Sequence, residues 1–214
     1  MDKPVLTFEN ISKMYELRLL YKNVHFCLYP KQTALVTGKN GSGKSTLLKL
    51  AAELTKPTQG KIICSFEKEK IGYLGHQTFI YPHLSAYENL LFWTQAFTRK
   101  KCSEKEILTL LKRVFLEKFC YDKAGIFSRG MAQRLNIARI ILQDPSLLLL
   151  DEPCTGLDKE SQELFYAVIQ EFQAKNAAIL WVSHNPQEDM RCASHMLHIE
   201  KQQIAFTKIQ GALA

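Results

Sequence analysis

Gly38-Lys39-Asn40-Gly41-Ser42-Gly43-Lys44-Ser45 is the stretch on which the reading of this chain turns. It fits G-x-x-x-x-G-K-[ST], and its flanks have the order that pattern needs. The apolar run Thr33 to Thr37 predicts a strand entering the loop, and a helix is predicted to leave it from about Lys44 to Glu53. Glycines let backbone N–H groups turn inward around phosphate oxygens without Cβ clashes, and the helix N-terminus adds favourable dipole charge. Gly38, Asn40, Gly41, Ser42, Gly43, Lys44, Ser45 and Thr46 are therefore candidate nucleotide contacts. Lys44 is placed to meet the β- and γ-phosphates, and Ser45 to offer its hydroxyl to Mg²⁺.

Far along the chain, Leu147 to Leu150 predict a buried strand that ends in Asp151 and Glu152. Open α/β sheets bind ligands at the carboxyl ends of such strands. Asp151 is suited to hold Mg²⁺ through water, and Glu152 to polarise the attacking water, because in-line phosphoryl transfer needs an acceptor beside the γ-phosphate. A leucine-rich strand ending in acids could equally be a strand meeting solvent, so this reading depends on the phosphate loop.

Between and around these two elements, strands are predicted at Val5 to Phe8, Val24 to Tyr29, Ile62 to Cys64, Ile71 to Leu74 and Ala178 to Val182. The pair at 62–64 and 71–74 brackets the charged Glu67 to Lys70 and reads as a hairpin in a β layer. Helical spacing runs from Ser85 to about Leu116, with Ser85 and Ser103 as N-caps followed three residues later by Glu88 and Glu106. Helix returns beyond Ser128 and again from about Lys159 to Gln173. Helices alternating with buried strands imply a parallel α/β core, and the earlier run of helices implies a laterally attached part.

Composition narrows the classes. The chain has 214 residues, 46% apolar and 23% charged, which suits one domain with a sizeable core. Its most apolar stretch, Ile140 to Leu150, is broken by Gln143, Asp144 and Pro145, too short for a span of about 20 residues. The opening residues carry no apolar signal segment, so the cytosol is the expected compartment. Six cysteines lie far apart with no C-x-x-C pair, which argues against zinc and against a disulfide framework. A net charge of +7 is compatible with nucleic acid, an anionic membrane leaflet or a polyphosphate. The basic residues are scattered without interleaved aromatics, so no nucleic acid is expected.

With both elements placed, the sequence resembles the ABC ATP-binding domain family over most of its length. The resemblance implies a P-loop NTPase fold of ABC type, an α/β architecture with a parallel-sheet core. An N-terminal antiparallel β layer and a helical subdomain over about 80–143 complete a single domain, 1–214. Tyr15 corresponds to the family's adenine-stacking aromatic, and Gln77 to its glutamine loop, which contacts Mg²⁺ or water and senses the membrane partner. Phe127-Ser128-Arg129-Gly130-Met131 aligns with the family's L-S-G-G-Q signature. Ser128 and Gly130 are kept, leaving a γ-phosphate site chemically possible, while Arg129 and Met131 depart. Asp158 falls in the aspartate loop and His184 at the switch histidine, which contacts the γ-phosphate and supports Glu152. Without the family, Ser128 and Asp158 read as N-caps, His184 as structural, and Cys154 has no assigned chemistry.

A narrower resemblance lies in Tyr73-Leu74-Gly75-His76-Gln77 and Glu88-Asn89-Leu90-Leu91-Phe92-Trp93, which are similar to the haem exporter ATP-binding subunits of cytochrome c maturation. His76 beside the glutamine reads as packing, not as a haem ligand. The family implies ATP and Mg²⁺ as cofactors, a homodimer or paired ATP-binding subunit, and separate integral membrane subunits that hold this chain on the inner face of the membrane. Two other classes fit the sequence less well. A soluble ABC ATPase acting on DNA or ribosomes usually carries a coiled-coil insertion or a second ATPase domain, and a small-molecule kinase has no use for the signature and switch elements together.

Overall fold

The computed structural model describes residues 3–75, 78–97 and 102–209. His76 and Gln77 lie outside the described residues. Two sheets form the frame. The first is antiparallel, with β1 (Leu6–Tyr15) flanked by β2 (Arg18–Leu28) and β4 (Gln59–Cys64). The second has the order β5-β6-β7-β3-β8-β9, built from β3 (Thr33–Gly38), β5 (Ile71–Leu74), β6 (Leu147–Asp151), β7 (Ala178–Val182), β8 (His195–Glu200) and β9 (Gln203–Lys208). Its members are parallel from β5 through β8, and β9 returns antiparallel along β8. The expected mixed α/β architecture is present, with a parallel core and an antiparallel layer.

The unbroken leucines of β6 follow from burial on both faces. Leu147 and Leu149 pack with β1, β2 and the helix α1 (Lys44–Ala51), while Leu148 and Leu150 pack with the helices α4 (Arg129–Gln143) and α5 (Lys159–Ala174). Side chains alternate across a strand, so one apolar run feeds two cores. In β7, Ala178, Leu180 and Val182 serve the first core and Ile179 and Trp181 the second. A third core joins α2 (Ala86–Phe97), α3 (Glu104–Arg113) and the outer face of α4 through Leu90, Ile107, Leu111 and Leu135.

Both expected helix starts carry capping boxes. Ser85 N–H donates to Glu88 Oε2 at 2.7 Å and Glu88 N–H to Ser85 Oγ at 3.1 Å, and Ser103 and Glu106 repeat the exchange.

The expected hairpin of residues 62–64 with 71–74 is not formed. Cys64 pairs with Leu6 in the antiparallel sheet, whereas Ile71 to Leu74 pair in parallel with Leu147 to Leu150. The charged residues between them include a single 3₁₀ turn, Lys68–Lys70, and carry the chain from one sheet to the other. β1 and β2 also run well beyond their apolar segments, through polar residues and past register shifts after Phe8.

A candidate nucleotide site at the end of the parallel sheet

β3 delivers the chain to the glycine loop, and α1 takes it away. Gly43, directly before α1, has φ of 101°, and a Cβ there would lie 2.9 Å from the Tyr21 ring. Only glycine fits both the left-handed backbone and the close approach. Within the loop the buried Ser42 Oγ has no partner among the described residues. Lys44 Nζ donates to Gly38 O at 2.8 Å, which holds the ammonium against its own loop.

β6 brings its carboxylates to the same place. Ser45 Oγ donates to Asp151 Oδ1 at 3.0 Å, joining two chain segments 106 residues apart. Tyr73, at the end of β5, donates to Asp151 Oδ2 at 3.4 Å. Burial, and next the Asp151 charge, push the Tyr73 hydroxyl up, so it stays a donor. Glu152 follows Asp151 with φ of 51°, a left-handed backbone rare outside glycine, asparagine and aspartate. Its N–H donates to Val182 O at 3.0 Å, tying it to the end of β7, where His184 follows.

A cleft of about 530 Å³ opens between these elements, lined by Tyr15, Arg18, Asn40, Gly41, Gly43, Lys44, Ser45, Thr46, Glu152 and His184. The hydroxyls of Ser45 and Thr46, a lysine, a carboxylate and a histidine thus meet around one space that Tyr15 also lines. The Tyr15 ring is half exposed, with Lys13 Nζ 4.5 Å from its centroid.

The profile of the family described as ABC transporter matches residues 21–155. The chain belongs to the ABC transporter family. It is an ATP-binding subunit and an ATPase of that family. It is 32% identical to the Ergothioneine transport ATP-binding protein EgtV of Helicobacter pylori strain G27, over 92% of this chain and 98% of that protein. It is 31% identical to the Cytochrome c biogenesis ATP-binding export protein CcmA of Rhizobium etli, over 85% of this chain and 88% of the relative. A dimeric ATP-binding cassette solved in a post-hydrolysis state with ADP and Pi superposes with a TM-score of 0.84 at 25% identity, covering 96% of this chain and 99% of that one.

The Phe127 to Met131 segment sits apart from the cleft. Ser128 caps α4, its Oγ accepting from Met131 N–H at 3.2 Å, and neither it nor Gly130 lines the cleft. Asp158 caps α5 by accepting from Ser161 N–H at 2.8 Å, and the Ser161 bonds hold its carboxyl below the usual range. The two segments touch: the Arg129 guanidinium lies 3.4 Å from where a Gly156 Cβ would stand. Gln133 Nε2 donates to Pro153 O at 3.0 Å, fastening α4 to the loop after Glu152.

Three residues with parts in this geometry have no site role in the sequence reading. Arg18 donates from Nη2 to Gly41 O at 3.0 Å and lines the cleft. Its only sequence signal is a basic residue three places after Tyr15. Tyr73 reaches Asp151 because β5 lies beside β6, which the hairpin reading had excluded. Asp189, with its carboxylate buried behind His184, had no sequence signal.

Cys154 is half-buried near the site. Burial pushes its thiol up to about 12, so it stays protonated and unreactive at neutral pH. Among the described residues no helix is long and apolar enough to cross a membrane.

Proposed function

We propose that two copies of this chain bind ATP between them and that ATP-driven closure works separate membrane subunits. The whole chain, 1–214, acts as one ATP-binding domain with residues 80–143 as its lateral helical part. The observation that supports this reading is the convergence of Lys44, Ser45, Glu152 and His184 on one cleft, with Asp151 hydrogen-bonded to Ser45 behind it. The backbone N–H groups of the glycine loop and the N-terminus of α1 take the phosphates, and Lys44 leaves its loop carbonyl for their oxygens. Tyr15 offers its exposed ring to the adenine. Ser45 Oγ and Asp151 Oδ1 are hard oxygen donors at hydrogen-bond distance and would hold Mg²⁺, with Gln77 of the glutamine loop as a further proposed ligand. When bound, the cation neutralises phosphate charge.

Glu152 accepts a proton from water as the water oxygen attacks the γ-phosphorus, and the bond to the leaving β-phosphate oxygen breaks. His184 holds the γ-phosphate in line with that attack. Ser128 and Gly130, away from their own cleft, meet the γ-phosphate of the partner copy at the N-terminus of α4. Asp158 belongs to the same contact between copies. Membrane subunits hold the chain at the inner face of the membrane.

The experiment is Glu152→Gln in the purified chain. The amide keeps the shape and loses the basic acceptor, so steady-state hydrolysis should fall by about 10²- to 10⁴-fold while ATP binding persists. Undiminished turnover removes Glu152 from this role.

For the cargo we carry haem-linked export forward, supported by the likeness to CcmA and by the 73–77 and 88–93 segments. EgtV is similar to the same degree. Deleting the gene in its host and staining for c-type cytochromes decides: their loss supports haem export, whereas intact cytochromes with lost ergothioneine uptake overturn it.

A further inference from the structure

Behind the cleft, Asp189 is a carboxylate only 3% exposed that the mechanism above leaves without a task. It accepts from Ser183 Oγ at 2.5 Å through Oδ2 and from Tyr166 OH at 2.7 Å through Oδ1. Its own N–H donates to Asn185 O at 3.2 Å. Ser183 and Asn185 are the two neighbours of His184, so both flanks of the exposed histidine are fastened to one residue. The chain leaves β7, presents His184 and returns through the short helix α6 (Pro186–Asp189), with Asp189 closing the loop.

The closure is anchored to α5. Tyr166 projects from that helix, its ring centroid 6.2 Å from that of Trp181 on β7 and the Arg191 guanidinium 4.1 Å from its centroid. A cavity of about 210 Å³ lies between this group and the cleft, and Tyr166, Asp189, Glu152 and His184 all line it.

We propose that Asp189 is a positioning residue for His184, setting its place at the γ-phosphate through Ser183, Asn185 and Tyr166. This rests on the assignment of His184 to the reacting phosphate. Both carboxylate oxygens face hydroxyl donors, so the ionised form is held by two hydrogen bonds. Burial pushes the carboxyl above its usual range, and the bonds from Ser183 and Tyr166 offset only part of that rise. A group that is misplaced by about 1 Å can lose about 10²-fold in rate while binding is retained.

The test compares Asp189→Ala, Asp189→Asn, His184→Ala and the Asp189→Ala/His184→Ala double variant in the full chain, each checked for folding. Asp189→Ala should lower kcat by about 10²-fold with KM for ATP and ATP affinity within about twofold of the parent. Asp189→Asn, which keeps one acceptor while the hydroxyls rotate to meet its amide, should recover most of the loss. In the His184→Ala background, Asp189→Ala should cost nothing further. The ring resonance of His184 in histidine-labelled protein, identified by its absence in His184→Ala, should shift or broaden in Asp189→Ala.

If His184→Ala lowers turnover and folded Asp189→Ala does not, the proposal alone is overturned. It is equally overturned if kcat and ATP affinity fall together, or if the losses add in the double variant. Full turnover by His184→Ala removes the His184 assignment itself, and this proposal with it. Should Asp189→Ala not fold, Tyr166→Phe removes one donor and should give a smaller kcat loss in the same direction. An unchanged kcat there overturns the proposal.

Discussion

Glu152 shows how a site residue can be legible in kind and hidden in conformation. Its chemistry follows from an acid at the end of a buried strand beside a phosphate loop, but nothing in Leu149-Leu150-Asp151-Glu152-Pro153 announces φ of 51°. A left-handed backbone costs an L-residue about 1–2 kcal/mol, and strain of this kind gathers at sites where the surrounding structure dictates the geometry. Glu152→Gly and Glu152→Ala both delete the carboxylate and should both lose hydrolysis. Their stabilities should differ, with the glycine variant about 1 kcal/mol more stable in denaturant unfolding, because only glycine adopts this backbone without a Cβ clash. Equal stability of the two would show that the backbone relaxes and holds no strain. The other site residues divide the same way. Lys44, Ser45 and Asp151 were readable because their spacing from a strand end fixes them. Arg18, Tyr73 and Asp189 are joined to Gly41, Asp151 and Tyr166, 23, 78 and 23 residues away in sequence, which no local pattern records.

At the scale of elements, legibility followed the strength of the local signal. β5, β7 and the start of α3 fall where the apolar runs and the Ser103–Glu106 box put them, since burial and capping are written in neighbouring residues. β8 and β9 are not among the strands that the apolar runs predict. Their connection is Lys201-Gln202, with φ of 47° and 65°, where a two-residue hairpin normally declares itself by Asn-Gly or Gly. The hairpin read for 62–64 and 71–74 failed because pairing partners far along the chain, Leu6 and Leu147, compete for those strands, and sequence proximity does not decide between sheets. Ser128 is an element-scale residue with two readings, as cap of α4 and as anion contact, and substitution separates them. Ser128→Ala removes the side-chain acceptor for Met131 N–H and should cost about 1 kcal/mol in thermal or denaturant unfolding. Ser128→Asp keeps an equally good cap and should leave stability unchanged. Its negative charge would nevertheless repel a γ-phosphate, so hydrolysis by the paired protein should fall sharply while stability holds. Full activity in Ser128→Asp would leave the cap as the only role.

The helix that Ser128 caps and the helix after the glycine loop pack in different cores: α4 bridges the second and third, while α1 packs in the first. A nucleotide held by Lys44 therefore has no signature from its own chain in the cleft, and a second copy is the natural source. Mixing variants tests this directly. Lys44→Ala removes the phosphate clamp, and Ser128→Arg fills the anion site with bulk and a fixed charge, so each homodimer should be inactive. In a mixed dimer the Ser128→Arg subunit contributes an intact Lys44 that faces the intact Ser128 of the Lys44→Ala subunit. One site is whole and the other is broken twice. Hydrolysis or ATP-dependent pairing should then rise above both parents. Both are measured because strict coupling between the two sites could silence turnover with one site intact, while ATP-dependent association would still report it. A site completed within one chain predicts the opposite: the two defects would stay in separate subunits, each with a faulty site, and mixing would restore neither signal even when the mixed dimers are shown to form.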